Sequence, residues 1–176
     1  MPSDTYREFW EYLSTPQRDL IQEGQYLMND IIRHQSYHFK DYSFLVFPFS
    51  KAYEGFLKQL FKDTKFISHL DYISDHLRLG KLMAPQLADR LADRSLYLKI
   101  VNASSPQLAE KIWQTWKIGR NELFHYYPHN IKAIPFIQVE TIINTMLVVM
   151  EEAYVALKPF IHTSLPQEPR ESTINK

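Results

Sequence analysis

The sequence has no cysteine among its 176 residues. Disulfides, thiol nucleophiles and thiolate metal sites are therefore excluded. Glycine is scarce, with only four, at positions 24, 55, 80 and 119. No Gly-rich phosphate loop of either common kind can be written from them, and no Gly-x-Ser-x-Gly nucleophile elbow exists. Charge of one sign is absent in excess, because 20 Lys and Arg balance 20 Asp and Glu. That argues against a broad electrostatic footprint for duplex DNA. It leaves room for a small RNA site with local positive charge. No apolar run reaches membrane-spanning length, and Phe44 to Phe49 is far too short. The opening stretch from Met1 to Trp10 has no apolar signal core. A cytoplasmic location is the expectation, and the missing cysteines fit a reducing compartment. In that setting Asn102-Ala103-Ser104, although it fits a glycosylation acceptor pattern, reads as a turn or helix cap.

Aromatic residues, in contrast, are abundant: 11 Phe, 11 Tyr and 3 Trp. At this density they imply a bulky core, a sticky interface, or both. The apolar spacing is helical throughout, so the expected fold class is all-α, with about five core helices after a short opening helix. Asp4 to Leu13 is the opening helix. Thr15-Pro16 starts a second that runs to about Arg33, with Leu20, Tyr26, Leu27 and Ile31 on its inner face. Gln35 to Asp41 reads as a connection. Pro48 opens a third, in which Phe49, Ala52, Tyr53, Phe56, Leu57, Leu60 and Phe61 recur at three-and-four spacing. Phe66 to Leu79 reads as a fourth, with Gly80 as its stop. Pro85 begins a helical stretch to Ile100. Ser105 caps a helix that starts at Pro106 and ends near Tyr127-Pro128. Pro135 precedes the last helix, whose stripe is Val139, Ile142, Ile143, Met146, Leu147, Met150, Tyr154 and Leu157. Residues 1–163 form one expected domain, and 164–176 a polar tail expected to be mobile.

The segment Arg-Asn-Glu-Leu-Phe-His, Arg120 to His125, carries the chemistry. Histidine exchanges protons near neutral pH. Arginine keeps its charge and presents a planar fork that fits phosphate oxygens. On a straight helix the two lie about 140° apart, whereas Asn121 and His125 share a face. Gly119, a poor helix former, precedes Arg120. It lets another backbone approach or lets the helix bend. By spacing alone, Arg120 is better explained by an acidic partner, and His125 by a half-buried surface position. Yet the same helix holds Leu108, Ile112, Trp113, Trp116, Leu123 and Phe124, so Arg120 sits beside an apolar stripe and needs a partner or a job.

The Arg120-Asn121-x-x-x-His125 motif, with Ala52 to Lys58 upstream, resembles the HEPN superfamily, and within it the RNase LS toxin-like domains. The likeness spans roughly residues 40 to 160. It implies a helical bundle that dimerises about a two-fold axis, with two motifs meeting as one composite site. The implied activity is metal-independent endoribonuclease cleavage, with no cofactor. A ribose 2′-hydroxyl attacks the adjacent phosphate, His125 moves protons, Arg120 stabilises developing charge, and Asn121 orients the histidine or a phosphate oxygen. A toxin or phage-defence role, an RNA substrate and an antitoxin partner belong to the same implication. Some such toxins, paired with a nucleotidyltransferase antitoxin, carry a tyrosine two residues after the histidine that is nucleotidylated. Tyr127 stands there, although the reading its position favours is an interfacial aromatic at a helix end. Glu54, in the upstream match, reads either as a site residue or as a surface pair with Lys58. His129 reads as a loop residue. His69, Asp71, Asp75 and His76 crowd one segment without converging as metal ligands. Two other functions fit the chain: a cleavage-silent HEPN-type module binding nucleotide or protein, and a structural helical dimerisation domain.

Overall fold

The computed structural model describes residues 3–34, 37–125 and 133–162. Helix α1, Asp4–Tyr12, starts where the Ser3 side chain accepts from the Tyr6 N–H at 3.1 Å. It buries Phe9 edge-on against Phe56, with ring centroids 5.9 Å apart. Helix α2, Thr15–His34, starts at a reciprocal contact. The Ser14 carbonyl accepts from the Gln17 N–H at 3.0 Å, and the Gln17 side chain accepts from the Ser14 N–H at 3.1 Å. Gln17 then donates to Gln59 at 3.1 Å, and Gln59 donates to the Tyr12 carbonyl at 2.8 Å. A polar chain thus ties three helices together where their ends meet.

The inner face of α2 differs from the one expected. Gln17, Ile21 and Gly24 are buried, while Tyr26 and Leu27 are 71% and 46% exposed. Gly24 decides this. A Cβ there would lie 2.5 Å from Phe49 Cε2 and 3.0 Å from Pro48 Cγ. The bare Gly24 α-carbon admits those rings, so α2 makes its closest approach along the Gln17–Ile21–Gly24 line. Tyr26 and Leu27 then face outward.

Helix α3, Phe47–Asp63, follows a 3-10 turn at Ser43–Val46 and has Pro48 in its first turn. All seven residues of its expected stripe are buried. The next segment is not the single helix expected over Phe66 to Leu79. It holds α4, His69–Ile73, and α5, Leu79–Leu82, and Gly80 lies inside α5 rather than ending a helix. A capping box between Ser68 and Asp71 opens α4, and Ser74 is extended at φ −80°, ψ 130°. Leu70 and Ile73 are 75% and 60% exposed, so no buried face holds the stretch in one long helix.

The stretch from Pro85 is likewise broken. A 3-10 turn at Pro85–Leu87 leads into α6, Ala88–Leu91, then a 3-10 turn at Ala92–Arg94. Ala92 has φ 45°, which interrupts helical geometry. Ser95 then caps α7, Leu96–Ala103. Helix α8, Pro106–Trp116, begins as expected, with Ser105 accepting from the Leu108 N–H at 3.2 Å. Helix α9, Phe136–Leu157, follows Pro135, and its stripe is buried except for the half-buried Leu147.

Helix α3 is the centre: α2 and α9 pack on it, α8 packs on α9, and α7 pairs with α8. One apolar cluster runs from Phe9 to Leu157. The described residues include helices and no strand. No helix among them is long and apolar enough to cross a membrane. The tail at 164–176 and Tyr127 lie outside the described residues.

Gly24→Ala tests the close approach. Alanine is favoured over glycine in a helix by about 1 kcal/mol. Forcing a methyl into packed rings costs about 1–3 kcal/mol, and Phe49, only 1% exposed, has little freedom to yield. Denaturant unfolding is expected to give a net loss of stability; a gain of the size expected from propensity would mean that the contact is loose.

Candidate functional site at the end of α8

Helix α8 does not run on through the motif. At Lys117–Asn121 it widens into a π-turn, closed by the Glu122 N–H donating to the Lys117 carbonyl at 3.0 Å. Regular helix stops there, and Leu123 to His125 are outside it. Two contacts explain the widening. Gly119 is buried against α9, where a Cβ would lie 2.9 Å from Met146 Sδ. The Gly119 carbonyl, which the next helical turn would have bonded, accepts instead from the buried Ser50 hydroxyl on α3. The same hydroxyl faces the Val46 carbonyl at 3.0 Å. A methionine side chain and a serine hydroxyl, rather than another backbone, use the space at Gly119. Two turns back, buried Tyr53 donates to the Ile112 carbonyl at 3.0 Å. Burial pushes its phenol well above the usual range, so it remains a neutral donor.

The π-turn sets the direction of Arg120. Its Nε lies 3.3 Å from Glu54 Oε2 on α3, and its guanidinium carbon lies 5.1 Å from the Trp116 ring centroid. Glu54 also takes Lys58 Nζ at 3.2 Å. Glu54 therefore makes the expected pair along its own helix and also holds the motif arginine. With Arg120 44% exposed, the pair contributes about 0–1 kcal/mol to stability; its consequence is orientation.

Arg120 and Asn121 border a cleft of about 380 Å³ between α5 and the end of α8. Glu54, Arg78, Gly80, Lys81 and Trp116 complete its polar and aromatic lining. His125 is exposed and is not among the residues that line it. The geometry thus gathers Glu54, Arg120 and Asn121, and leaves His125 beyond the end of the helix. The expected face shared by Asn121 and His125 is lost, because regular helix ends at Asn121.

Trp116 is 3% exposed, and its Nε1 is buried with no hydrogen-bond partner among the described residues. Leaving such a donor unpaired costs about 1–3 kcal/mol. A Cβ on Gly80 would stand 2.7 Å from that nitrogen, so the indole N–H packs against the bare Gly80 α-carbon.

Comparison with known proteins yields no matching family model, no similar curated protein and no similar solved structure. The site therefore rests on its own geometry. Nothing in the sequence pattern marks Arg78 and Lys81, and Gly80, expected as a helix stop, lies inside α5. No spacing rule links them to Arg120; the turn of the chain through α5 does. His69, Asp71, Asp75 and His76 have other surroundings. Asp71 accepts from the Ser68 N–H at 3.0 Å and from its hydroxyl at 2.7 Å, which holds its carboxyl below the usual range. No group of three or more potential metal ligands occurs among the described residues.

Ser50→Ala removes the bond that replaces the missing turn. A loss of about 1–3 kcal/mol is expected, since the buried Gly119 carbonyl loses its donor. Hydrogen exchange at Lys117 to Glu122 reports it locally. Unchanged protection there, with unchanged stability, would show that the hydroxyl does not hold the π-turn.

Proposed function

We propose that this chain is a metal-independent endoribonuclease of the HEPN type, acting as a dimer at a composite site built from two Arg120–His125 motifs. The observation that carries the proposal is the placement of Arg120: steered by Glu54 and Trp116 to the rim of a cleft with Arg78, Lys81 and Asn121. A fixed guanidinium among further cations suits a phosphodiester. In the proposed reaction a ribose 2′-hydroxyl attacks the neighbouring phosphorus. One His125 takes the hydroxyl proton, another acid protonates the leaving oxygen, and a cyclic phosphate results. A toxin or defence role, with an antitoxin partner, extends this reading through the family likeness.

Dimerisation has its own support. Phe47, Ile118 and Phe124 flank the motif at 52%, 44% and 40% exposure, and the Phe47 and Phe124 rings meet edge-on at 5.6 Å. Such large apolar groups around a charged motif suit a two-fold contact with the same patch on a second copy. His125, outside the cleft of its own chain, would then face the Arg120 of its partner. A second reading, a module that binds nucleotide without cutting, is favoured by Glu54. A carboxylate that already engages Arg120 lowers the charge available to a transition state.

His125→Ala is expected to lower RNA cleavage about a hundredfold to ten-thousandfold, with the fold kept, and Arg120→Lys to be poor because an ammonium cannot replace the fork. Cleavage at the wild-type rate by His125→Ala, measured on purified protein in chelator, would refute the assignment. A mixed dimer of Arg120→Ala and His125→Ala chains separates arrangements across subunits from those within one. It is expected to regain activity, because one Arg120 still meets the partner's intact histidine. No recovery, with subunit exchange demonstrated, contradicts the composite site.

A further inference from the structure

We infer that the cleft between α5 and the end of α8 is a binding site for a phosphate group, held by Arg78, Lys81, Arg120 and the Trp116 indole N–H. Three cations line the cleft against one carboxylate, Glu54. That carboxylate is already engaged by Lys58 at 3.2 Å and by Arg120 Nε at 3.3 Å, so its charge is compensated within the protein. Arg120 spends only Nε on Glu54; its terminal nitrogens have no hydrogen-bond or ion-pair partner among the described residues. Arg78 and Lys81 likewise have no ion-pair partner among the described residues and are exposed at the rim.

A second observation points to a ligand independently of these charges. The Trp116 indole N–H is a buried donor with no acceptor among the described residues, and it packs against the bare Gly80 α-carbon, where both residues line the wall of the cleft. An indole N–H only donates. A group that pairs with it is therefore an acceptor, and the surrounding guanidinium and ammonium groups favour an anionic one. A phosphate offers several acceptor oxygens in a tetrahedral array, enough to meet two forks, an ammonium and an indole at once. The site deepens the proposed function, on which it rests for the source of the phosphate. In that setting it takes a backbone phosphate of RNA next to the one cleaved. The same chemistry is offered by a free pyrophosphate, and the two are separable.

The test is a titration followed through the three tryptophan indole N–H resonances, with that of Trp116 identified by its loss in Trp116→Phe. The probes are pyrophosphate and an uncleavable single-stranded RNA oligonucleotide. Both are expected to move the Trp116 resonance, and pyrophosphate to displace the RNA. Gly80→Ala, which sets a methyl against the indole N–H, is expected to weaken binding about tenfold or more. Because that variant presses on a buried ring, the exposed pair Arg78→Ala with Lys81→Ala provides an independent measure, with about a tenfold loss expected. No shift of Trp116 with either probe, or affinity indifferent to the Arg78 and Lys81 changes, overturns the site. Binding of pyrophosphate without RNA keeps the site and removes RNA as its source. Binding of both probes by a protein that does not cut RNA keeps the site and refutes cleavage instead.

Discussion

The contact that the candidate site depends on is the burial of Gly119. Its α-carbon lies where a side chain would press on Met146 of α9, and its carbonyl is held by Ser50 of α3. Those two contacts pin α8 at a point where an ordinary helix would carry a side chain and bond onward. The backbone responds with a π-turn, and one extra residue enters the turn. The extra residue redirects Arg120 toward Glu54 and over Trp116, and it ends the helix before His125. The motif's two functional groups are thus separated by a backbone device rather than carried on one face.

The same economy of side chains recurs where helices come closest. Gly24 admits Phe49 and Pro48 to α2, and Gly80 admits the edge of the Trp116 indole to α5. Three of the four glycines therefore serve approaches that any Cβ would obstruct. At α2 the result is packing. At α5 it is a buried donor set in the wall of a cleft lined by cations. An unpaired buried donor is costly, and a ligand acceptor would remove that cost.

Much of the helical pattern was legible because it is local. The stripe of α3 and that of α9 follow three-and-four spacing, and Ser105-Pro106 marks the start of α8 by a cap that needs only near neighbours. What escaped is non-local or lacks a buried face. Ser50 and Gly119 lie 69 positions apart, so no reading of the hexapeptide reveals the π-turn. The stretch after Phe66 has apolar residues at helical spacing, yet Leu70 and Ile73 face solvent and the helix breaks. Tyr26 and Leu27 were assigned inward by spacing, and the Gly24 contact turned them out. Of the site residues, Arg120, Asn121 and Glu54 were named from the sequence and share one cleft; Arg78 and Lys81 joined them only through the path of α5.

Cleavage chemistry without a metal is the central claim, and the ends of the RNA products test it most directly. Purified wild-type protein, incubated in chelator with single-stranded RNA, is predicted to leave cyclic phosphate on one product and a free hydroxyl on the other. A substrate with deoxyribose at the cleaved position should resist, because the attacking hydroxyl is gone. Product ends without cyclic phosphate, cutting of the deoxyribose substrate, or no cutting above the buffer control by a verified dimer would contradict the account.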